Sequence, residues 1–307
     1  MKLMASLANE YVVSDYISMG VNCVAVGNDE ISSRHHVSLS FDTIANLATQ
    51  IDTFVMLNQL YFEQELPLVE KWLENLSKTE VKGIIFQDFA ILNLVSKMEW
   101  QPILMYCPET LNTNSQTLND LESFGINSAF LAREISLDDV LTIASKTHVP
   151  LMIQAHGVMY MAQSRRPLLS NYAKSEEIEL TEPYYLMTVN DSSMKAYIHE
   201  DHYGTHVQTF EELCALDILG QLSQAGISYI YVDTQYMNES YALEIVNIYA
   251  DALKFIENGT FTKNVHELHK LLNGIKENHE YSDGFYFDST VYKIEDVRRL
   301  DNEKKNQ

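Results

Sequence analysis

Eight short apolar segments rich in β-forming residues recur along the chain, and stretches with helical periodicity lie between them. The segments are KLMAS (2–6), NCVAVG (22–27), TFVMLN (53–58), GIIFQD (83–88), PILMYC (102–107), SAFLARE (128–134), PLMIQAHG (150–157) and SYIYVDT (228–234). Strands that alternate with helices pair in parallel, and eight such units favour an α/β fold of the (β/α)8 TIM-like barrel type. A doubly wound open sheet is the alternative that the same alternation allows.

Helices are predicted at 64–78, 114–125, 136–146, 210–226 and 238–259. About fifty residues, 157–208, separate the seventh predicted strand from the next helix, and a loop of that length in a compact domain is usually functional or a small subdomain. Within it, EPYYLMTV (182–189) and MKAYIHED (194–201) predict a β-hairpin. We therefore expect a barrel domain over 1–260 with an insertion after strand 7. A C-terminal extension over 261–307 should contain one strand in FYFDSTVYKI and a frayed end at EKKNQ.

The charge balance is strongly acidic, with 43 Asp and Glu against 21 Lys and Arg and a formal net charge of -22. Such a field repels phosphate, so binding of nucleic acid over a broad basic face is disfavoured. The N-terminal residues do not form a signal peptide, and no apolar run approaches a membrane span. Three widely spaced cysteines predict neither a disulfide framework nor a clustered metal site, so a reducing cytoplasm is the expected location.

Polar side chains follow almost every predicted strand, at the end of the barrel where active sites of this fold gather. They are Asn58, Gln87, Asp88, Glu109, Thr110, Arg133, Glu134, Gln154, His156 and Asp233. Solvation explains one polar strand end, but the set predicts a pocket. Arg34, in the loop after the second strand, and Arg165 and Arg166, in the segment HGVMYMAQSRRPLLSNY (156–172), are further candidates for binding substrate.

Arg133, Glu134 and His156 are expected to converge on this pocket. Arg133 would hold an anionic group of a small ligand, Glu134 would orient it or accept a proton, and His156 would act as a general acid or base near neutral pH. Gly157 would allow the backbone to approach closely. The alternatives are an Arg133–Glu134 ion pair that only braces the rim and a histidine with a structural role.

The segment HEDHYGTH (199–206) contains three histidines and two acids, but their spacing is not diagnostic of a metal site. A solvated loop is the favoured interpretation, and no metal is predicted. Phosphate-binding glycine loops, HExxH and GxSxG are absent from the sequence, which removes the usual support for nucleotide binding, zinc peptidase and α/β-hydrolase activity.

The order of FLAREISLDDV, HGVMYMAQSRRPLLSNY, a hairpin, a helix and AGISYIYVDTQYMNESYALEIVNIYADALK resembles the U32 peptidase (collagenase-like) family over about residues 3–256. The earlier segments VAVG, LNQ and QDFAIL extend the likeness. The resemblance implies a barrel-like α/β domain. Members were named as proteases, but several resemble components of oxygen-independent hydroxylation of tRNA, ribosomal RNA or ubiquinone precursors.

The chain also departs from this family. Many members have a cysteine three residues after His-Gly, another in Gly-Arg-Cys-Leu-Leu-Ser and a further pair downstream, which together bind an iron–sulfur cluster. Here Tyr160 and Pro167 occupy the first two positions, and the family's Lys-x-Glu-Gly-Arg is replaced at YVDTQ, where Asp233 stands. Neither tyrosine nor proline replaces a thiolate, so no cluster or other cofactor is expected.

The chain thus resembles a shorter, cluster-free branch of the family. That branch implies a component of tRNA wobble-uridine hydroxylation, partnered by a longer cysteine-containing U32 paralogue and acting on tRNA indirectly. The alternative is a peptidase acting on peptides or proteins, for which Glu134 and His156 are the best candidates to activate water. The residues leave open whether the chain is itself catalytic.

Overall fold

The computed structural model describes residues 1–188, 195–276 and 279–287. Its strands are β1 (Lys2–Ser6), β2 (Cys23–Val26), β3 (Asp52–Leu57), β4 (Gly83–Phe86), β5 (Ile103–Tyr106), β6 (Ser128–Phe130), β7 (Leu151–Ser164), β8 (Tyr185–Thr188), β9 (Lys195–Asp201), β10 (Gly204–Cys214), β11 (Tyr229–Val232) and β12 (Tyr281–Ser282). Its α-helices are α1 (Val13–Met19), α2 (Phe41–Ala48), α3 (Leu66–Leu76), α4 (Ala90–Val95), α5 (Ser115–Glu122), α6 (Leu137–Ala144), α7 (Leu168–Ser175), α8 (Leu219–Gln224), α9 (Glu239–Glu257) and α10 (Phe261–Ile275).

Strands β1 to β7 and β11 form a closed parallel barrel. Each pairs in parallel with the next along the chain, and β11 closes the ring by pairing with both β1 and β7. All eight segments predicted from the sequence are strands of this barrel, so the (β/α)8 prediction is confirmed and the open-sheet alternative is wrong.

Alternation along the strands separates two apolar layers. One set of side chains fills the barrel and includes Met4, Phe54, Met105, Phe130 and Met152. Their neighbours in sequence, such as Leu3, Val55 and Ile153, face outward and pack against the surrounding helices. This arrangement follows from the two-residue period of a β-strand, which sends successive side chains to opposite faces.

The part of the chain that is described has no helix with the length and apolar character needed to span a membrane.

The insertion after the seventh strand is larger than a hairpin. Strand β7 continues beyond the barrel to Ser164, and β10 returns alongside it as an antiparallel partner. The predicted hairpin is present as β8 and β9, which extend this sheet in the order β7, β10, β9, β8. The helix predicted from residue 210 is wrong over 210–214, because these residues belong to β10, in which residues 212–214 pair with β7. The helical part begins only at a 3-10 turn, Leu216–Ile218.

Two further predictions need correction. The segment HEDHYGTH is not a solvated loop: it forms the ends of β9 and β10, and His206 is fully buried. The C-terminal extension contains α10, which was not predicted and packs on α9 through Leu268 and Leu272. The strand expected at 285–294 falls largely outside the described residues, as does the end EKKNQ, and residues 285–287 lie in a turn.

Candidate functional site at the barrel mouth

A small cleft with a volume of about 30 Å³ opens at the carboxyl ends of the barrel strands. Its floor consists of side chains from the barrel interior, among them Met56, Ile85, Cys107, Phe130, Met152 and Tyr231. Its polar wall is built by Arg34, Asn58, Glu109, Arg133, Tyr160, Gln208 and Asp233. Four of the substrate-binding residues predicted from the sequence, Arg34, Asn58, Arg133 and Asp233, therefore do meet in one place.

A buried carboxylate between two arginines dominates the cleft. Glu109 accepts a hydrogen bond from Arg34 Nη2 at 2.9 Å through one oxygen, and its other oxygen is paired with Arg133 Nη1. Burial alone would raise the pKa of Glu109, but the charges of Arg133 and Arg34 outweigh burial and hold that pKa below its ordinary value. Glu109 is thus a fixed anion that positions both guanidinium groups.

The loop after β2 holds Arg34 in place through Asn58. The Asn58 side chain donates to the Ser33 carbonyl at 2.8 Å and accepts from the Ser33 amide at 3.0 Å. Arg34 itself adopts a positive φ of 53° and donates to the Asn58 carbonyl at 3.1 Å. Asn58 is therefore mainly a positioning residue, which fits its prediction as a site residue only in part.

The extension of β7 covers the mouth. The ring of Tyr160 lies 4.6 Å from the guanidinium carbon of Arg34, and Gln163 accepts a hydrogen bond from Arg34 Nη1 at 3.2 Å. Tyr160 occupies the position where the family resemblance places a cysteine. Its phenol lies over a cation, and burial raises its pKa above the ordinary value, so it remains a neutral hydroxyl.

Asp233 is a carboxyl group of the cleft whose pKa lies close to neutral pH. Its carboxylate accepts from the Gln235 amide at 3.1 Å and from the Ser6 hydroxyl at 3.3 Å. Burial raises its pKa to about 6 despite these hydrogen bonds and the nearby Arg133. A carboxyl group that titrates near neutral pH can donate or accept a proton during a reaction.

The structure does not bring His156 to the cleft, contrary to the expected convergence. A β-bulge after Gln154 adds one residue to β7 relative to β11, which turns His156 outward toward α9. There its ring nitrogens contact the Tyr249 hydroxyl and a Glu212 oxygen, both at 3.2 Å. Gln154 points to the barrel side instead and accepts from Arg133 Nε.

The histidine and its partners form a separate buried network. Glu212 also accepts from Tyr241 at 2.8 Å and from His279 at 2.7 Å. Burial would lower the pKa of His156, but hydrogen bonds to Cys214 and Glu212 raise it above the ordinary value, so a charged imidazolium is expected. The expected close approach at Gly157 is present: φ is 101°, and an added Cβ would lie 2.2 Å from the Asp233 carbonyl oxygen.

Glu134 also lies outside the cleft. Its side chain is exposed and borders a second, larger cleft beside Met161 and Phe285. Arg133 and Glu134 are therefore neither the predicted clamp nor an ion pair with each other. Arg133 pairs with Glu109, which follows a different strand.

The remaining predicted residues have other surroundings. Asp88 accepts from the Tyr61 and Ala90 amides, both at 2.9 Å, and so connects the loop after β3 to the start of α4. Gln87 is half-buried and does not line the cleft. Arg165 pairs with Glu65 at 2.8 Å, and Arg166 is exposed. These contacts give Asp88 and Arg165 structural roles.

The roles of Glu109, Tyr160 and Gln208 at the cleft were not assigned from the sequence. Glu109 was noted as a strand end, and its place two residues after PILMYC was the available signal. Tyr160 and Gln208 reach the cleft only because β7 and β10 continue past the barrel and face each other in register. No local sequence pattern predicts that pairing.

Comparison with known proteins gives consistent matches. The sequence model of Peptidase family U32 matches residues 11–295. The chain is 28% identical over 248 residues to tRNA hydroxylation protein P2 of Bacillus subtilis, which covers 78% of this chain and 80% of that protein. It is 18% identical over 262 residues to tRNA hydroxylation protein P1 of the same organism, covering 81% and 62%. Against the 23S rRNA 5-hydroxycytidine C2501 synthase of Escherichia coli, identity is 23% over 269 residues, covering 83% of this chain and 40% of the synthase.

Proposed function

The chain belongs to Peptidase family U32, and from this membership we propose that it is a component of the hydroxylation of wobble uridine in tRNA. The observation that supports this function best is the likeness to tRNA hydroxylation protein P2, which extends over most of both chains. Two other relatives are named for RNA hydroxylation as well.

We propose that the cleft at the barrel mouth binds a small anionic ligand. Arg34 and Arg133 supply two positive charges against Glu109, so the cleft is positive by one charge when Asp233 is protonated and neutral when it is ionised. We propose that an anion binds together with a proton on Asp233, because an anion beside an ionised Asp233 would leave an uncompensated negative charge in a buried site. Asp233 is then placed to transfer that proton.

The iron–sulfur cluster of the wider family does not fit this chain. A cluster of the common type takes four thiolates, and the sequence has three cysteines. Cys23 and Cys107 are buried in the barrel interior, whereas Cys214 packs on its outer side.

A partner completes the proposal. The net charge of -22 opposes direct binding of tRNA over a broad surface. We propose that a longer, cysteine-containing U32 paralogue provides the redox chemistry and the contact with RNA, with this chain as its companion in the cytoplasm. P1 of Bacillus subtilis supports this proposal by its greater length alone, since the match covers 62% of it.

Deletion of the gene in its own host, followed by mass spectrometry of tRNA nucleosides, tests the function. We expect loss of wobble hydroxyuridine and its recovery with the wild-type gene on a plasmid. Unchanged modification after deletion would overturn the proposal.

Variants test the cleft separately from the function. Arg133→Gln and Asp233→Asn should fail to restore modification, whereas Arg166→Ala, an exposed arginine of the same chain, should restore it. Arg133→Gln leaves buried Glu109 with one partner and can destabilise the fold, so Asp233→Asn is the decisive variant. Normal modification by a folded Asp233→Asn protein would exclude the cleft but leave the tRNA function standing.

The peptidase alternative is not favoured by the geometry. Water activation by Glu134 and His156 requires both side chains to face one cleft. Glu134 is exposed on one side of the molecule, and His156 is enclosed against α9.

A further inference from the structure

Two histidines and an aspartate share one face of the inserted sheet. His199 on β9 lies directly opposite His206 on β10 in the antiparallel register. Asp201 follows His199 by two residues on the same strand, so it points to the same face. Residues opposed across two strands are close enough for their side chains to interact. The hairpin thus assembles three potential metal ligands.

The three side chains are near enough to hold one ion. A ligand atom from each of them lies within 4.8 Å of the other two. His206 Nε2 is 2.9 Å from an Asp201 oxygen, and the two imidazole rings are 4.7 Å apart. His206 is fully buried, while Asp201 is exposed and leaves the site open to solvent.

Neighbouring hydrogen bonds determine which nitrogen of His199 is free. The Gln208 amide nitrogen donates to Gln235 at 2.6 Å, so its oxygen is the acceptor for the Tyr236 hydroxyl at 2.5 Å. The Tyr236 oxygen must then accept from His199 Nδ1, at 2.8 Å. His199 therefore carries its proton on Nδ1 and presents a lone pair on Nε2. Metal-binding histidines are commonly oriented in this way.

His206 offers its Nε2 to the same site. This nitrogen bonds the Asp201 carboxylate, so a metal ion between them would replace the proton that the two groups share. The other ring nitrogen, Nδ1, is buried without a hydrogen-bond partner within the described residues and takes no part in the site.

We propose that His199, Asp201 and His206 bind a divalent transition-metal ion, with Zn²⁺ as the best match. Two imidazoles and one carboxylate form a common zinc ligand set, which leaves a fourth position for water. Imidazole nitrogen disfavours Mg²⁺ and Ca²⁺, which prefer oxygen ligands. The ion would link β9 to β10 and, through Tyr236 and Gln208, support the part of the insertion that covers the barrel mouth.

Titration of the chelator-treated protein with Co²⁺, and competition by Zn²⁺ in the presence of millimolar Mg²⁺, tests this site. We expect one Co²⁺ per chain with visible absorption bands, displacement by Zn²⁺, and a higher melting temperature with Zn²⁺. Absence of a stoichiometric Co²⁺ complex would overturn the proposal.

Matched variants identify the ligands. His199→Asn and Asp201→Asn should each weaken Zn²⁺ binding by at least about tenfold, and Tyr236→Phe by about tenfold through loss of orientation. His202→Ala is the control, because this exposed histidine lies between the two strands but outside the ligand set. Binding that persists in both ligand variants, or that is lost equally in His202→Ala, would show that the ion is held elsewhere on the acidic surface. These measurements do not depend on the tRNA function.

Discussion

Replacement of Asp233 by asparagine should stabilise the protein at neutral and alkaline pH. The carboxyl group has a pKa of about 6 in the folded protein and 3.8 as its ordinary value, so folding must work against its ionisation. Each pKa unit corresponds to about 1.4 kcal/mol, which gives a cost of about 3 kcal/mol above pH 6. Asparagine is neutral and keeps an acceptor oxygen for Ser6 and Gln235.

The sign of the pH dependence is specific to a raised carboxyl pKa. Between about pH 4 and pH 6 the folded state binds more protons than the unfolded state, so the wild-type free energy of unfolding falls as pH rises. The advantage of Asp233→Asn should be about 3 kcal/mol at pH 8, roughly half of that at pH 5, and small at pH 4.

Urea unfolding of both proteins at these three pH values measures the effect. Glu134→Gln serves as the control, because it neutralises an exposed carboxylate outside the cleft and should change stability by less than about 0.5 kcal/mol. A variant no more stable than wild type at pH 8 would refute the reasoning that burial raises the pKa of Asp233.

Three further predictions follow from the buried contacts. Gly157→Ala should destabilise the fold by more than about 2 kcal/mol in urea unfolding, since the added Cβ would overlap the Asp233 carbonyl. Gly125→Ala is the control: this glycine has a similar positive φ but no atom near the position of the added Cβ, so the change should cost about 1 kcal/mol. Cys214 should react fastest with iodoacetamide, because its contact with His156 outweighs burial and lowers the pKa of its thiol. Burial raises the pKa of the two cysteines inside the barrel, Cys23 and Cys107, to about 12. Peptide mass mapping measures the labelling, and equal labelling of the three cysteines would contradict this prediction. Glu212→Gln should cost about 3 kcal/mol at pH 6 and less as pH rises through the raised pKa of His156, and a pH-independent loss would contradict the charge pairing.

The architecture of the chain was accessible from its sequence. Each barrel strand is a local apolar run, and its period differs from that of the helices, so both element types and their order could be recognised without tertiary information. Parallel pairing then follows from the helical crossovers, and the position of the site follows from the fold. Four predicted residues share the cleft because each follows a barrel strand at its carboxyl end: Arg34, Asn58, Arg133 and Asp233.

Helix α10 and the strand at 210–214 show where local patterns fail. The segment FEELC fits an amphipathic helix as well as a strand, and only the pairing of β10 with β7 decides between them. Such pairing joins residues more than fifty positions apart, and its stability depends on neighbours that the segment itself does not encode.

The chemical identity of the site was decided by tertiary structure alone. One extra residue in β7 sends His156 to the helix layer and leaves Gln154 on the barrel side against Arg133, because a strand has a period of two and a single insertion reverses every later side chain. Glu109 comes between two arginines only when three different strand ends meet around a closed ring. The sequence determined which polar groups stand at the barrel mouth, whereas the direction of each side chain depends on register and closure, which are set by contacts between distant parts of the chain.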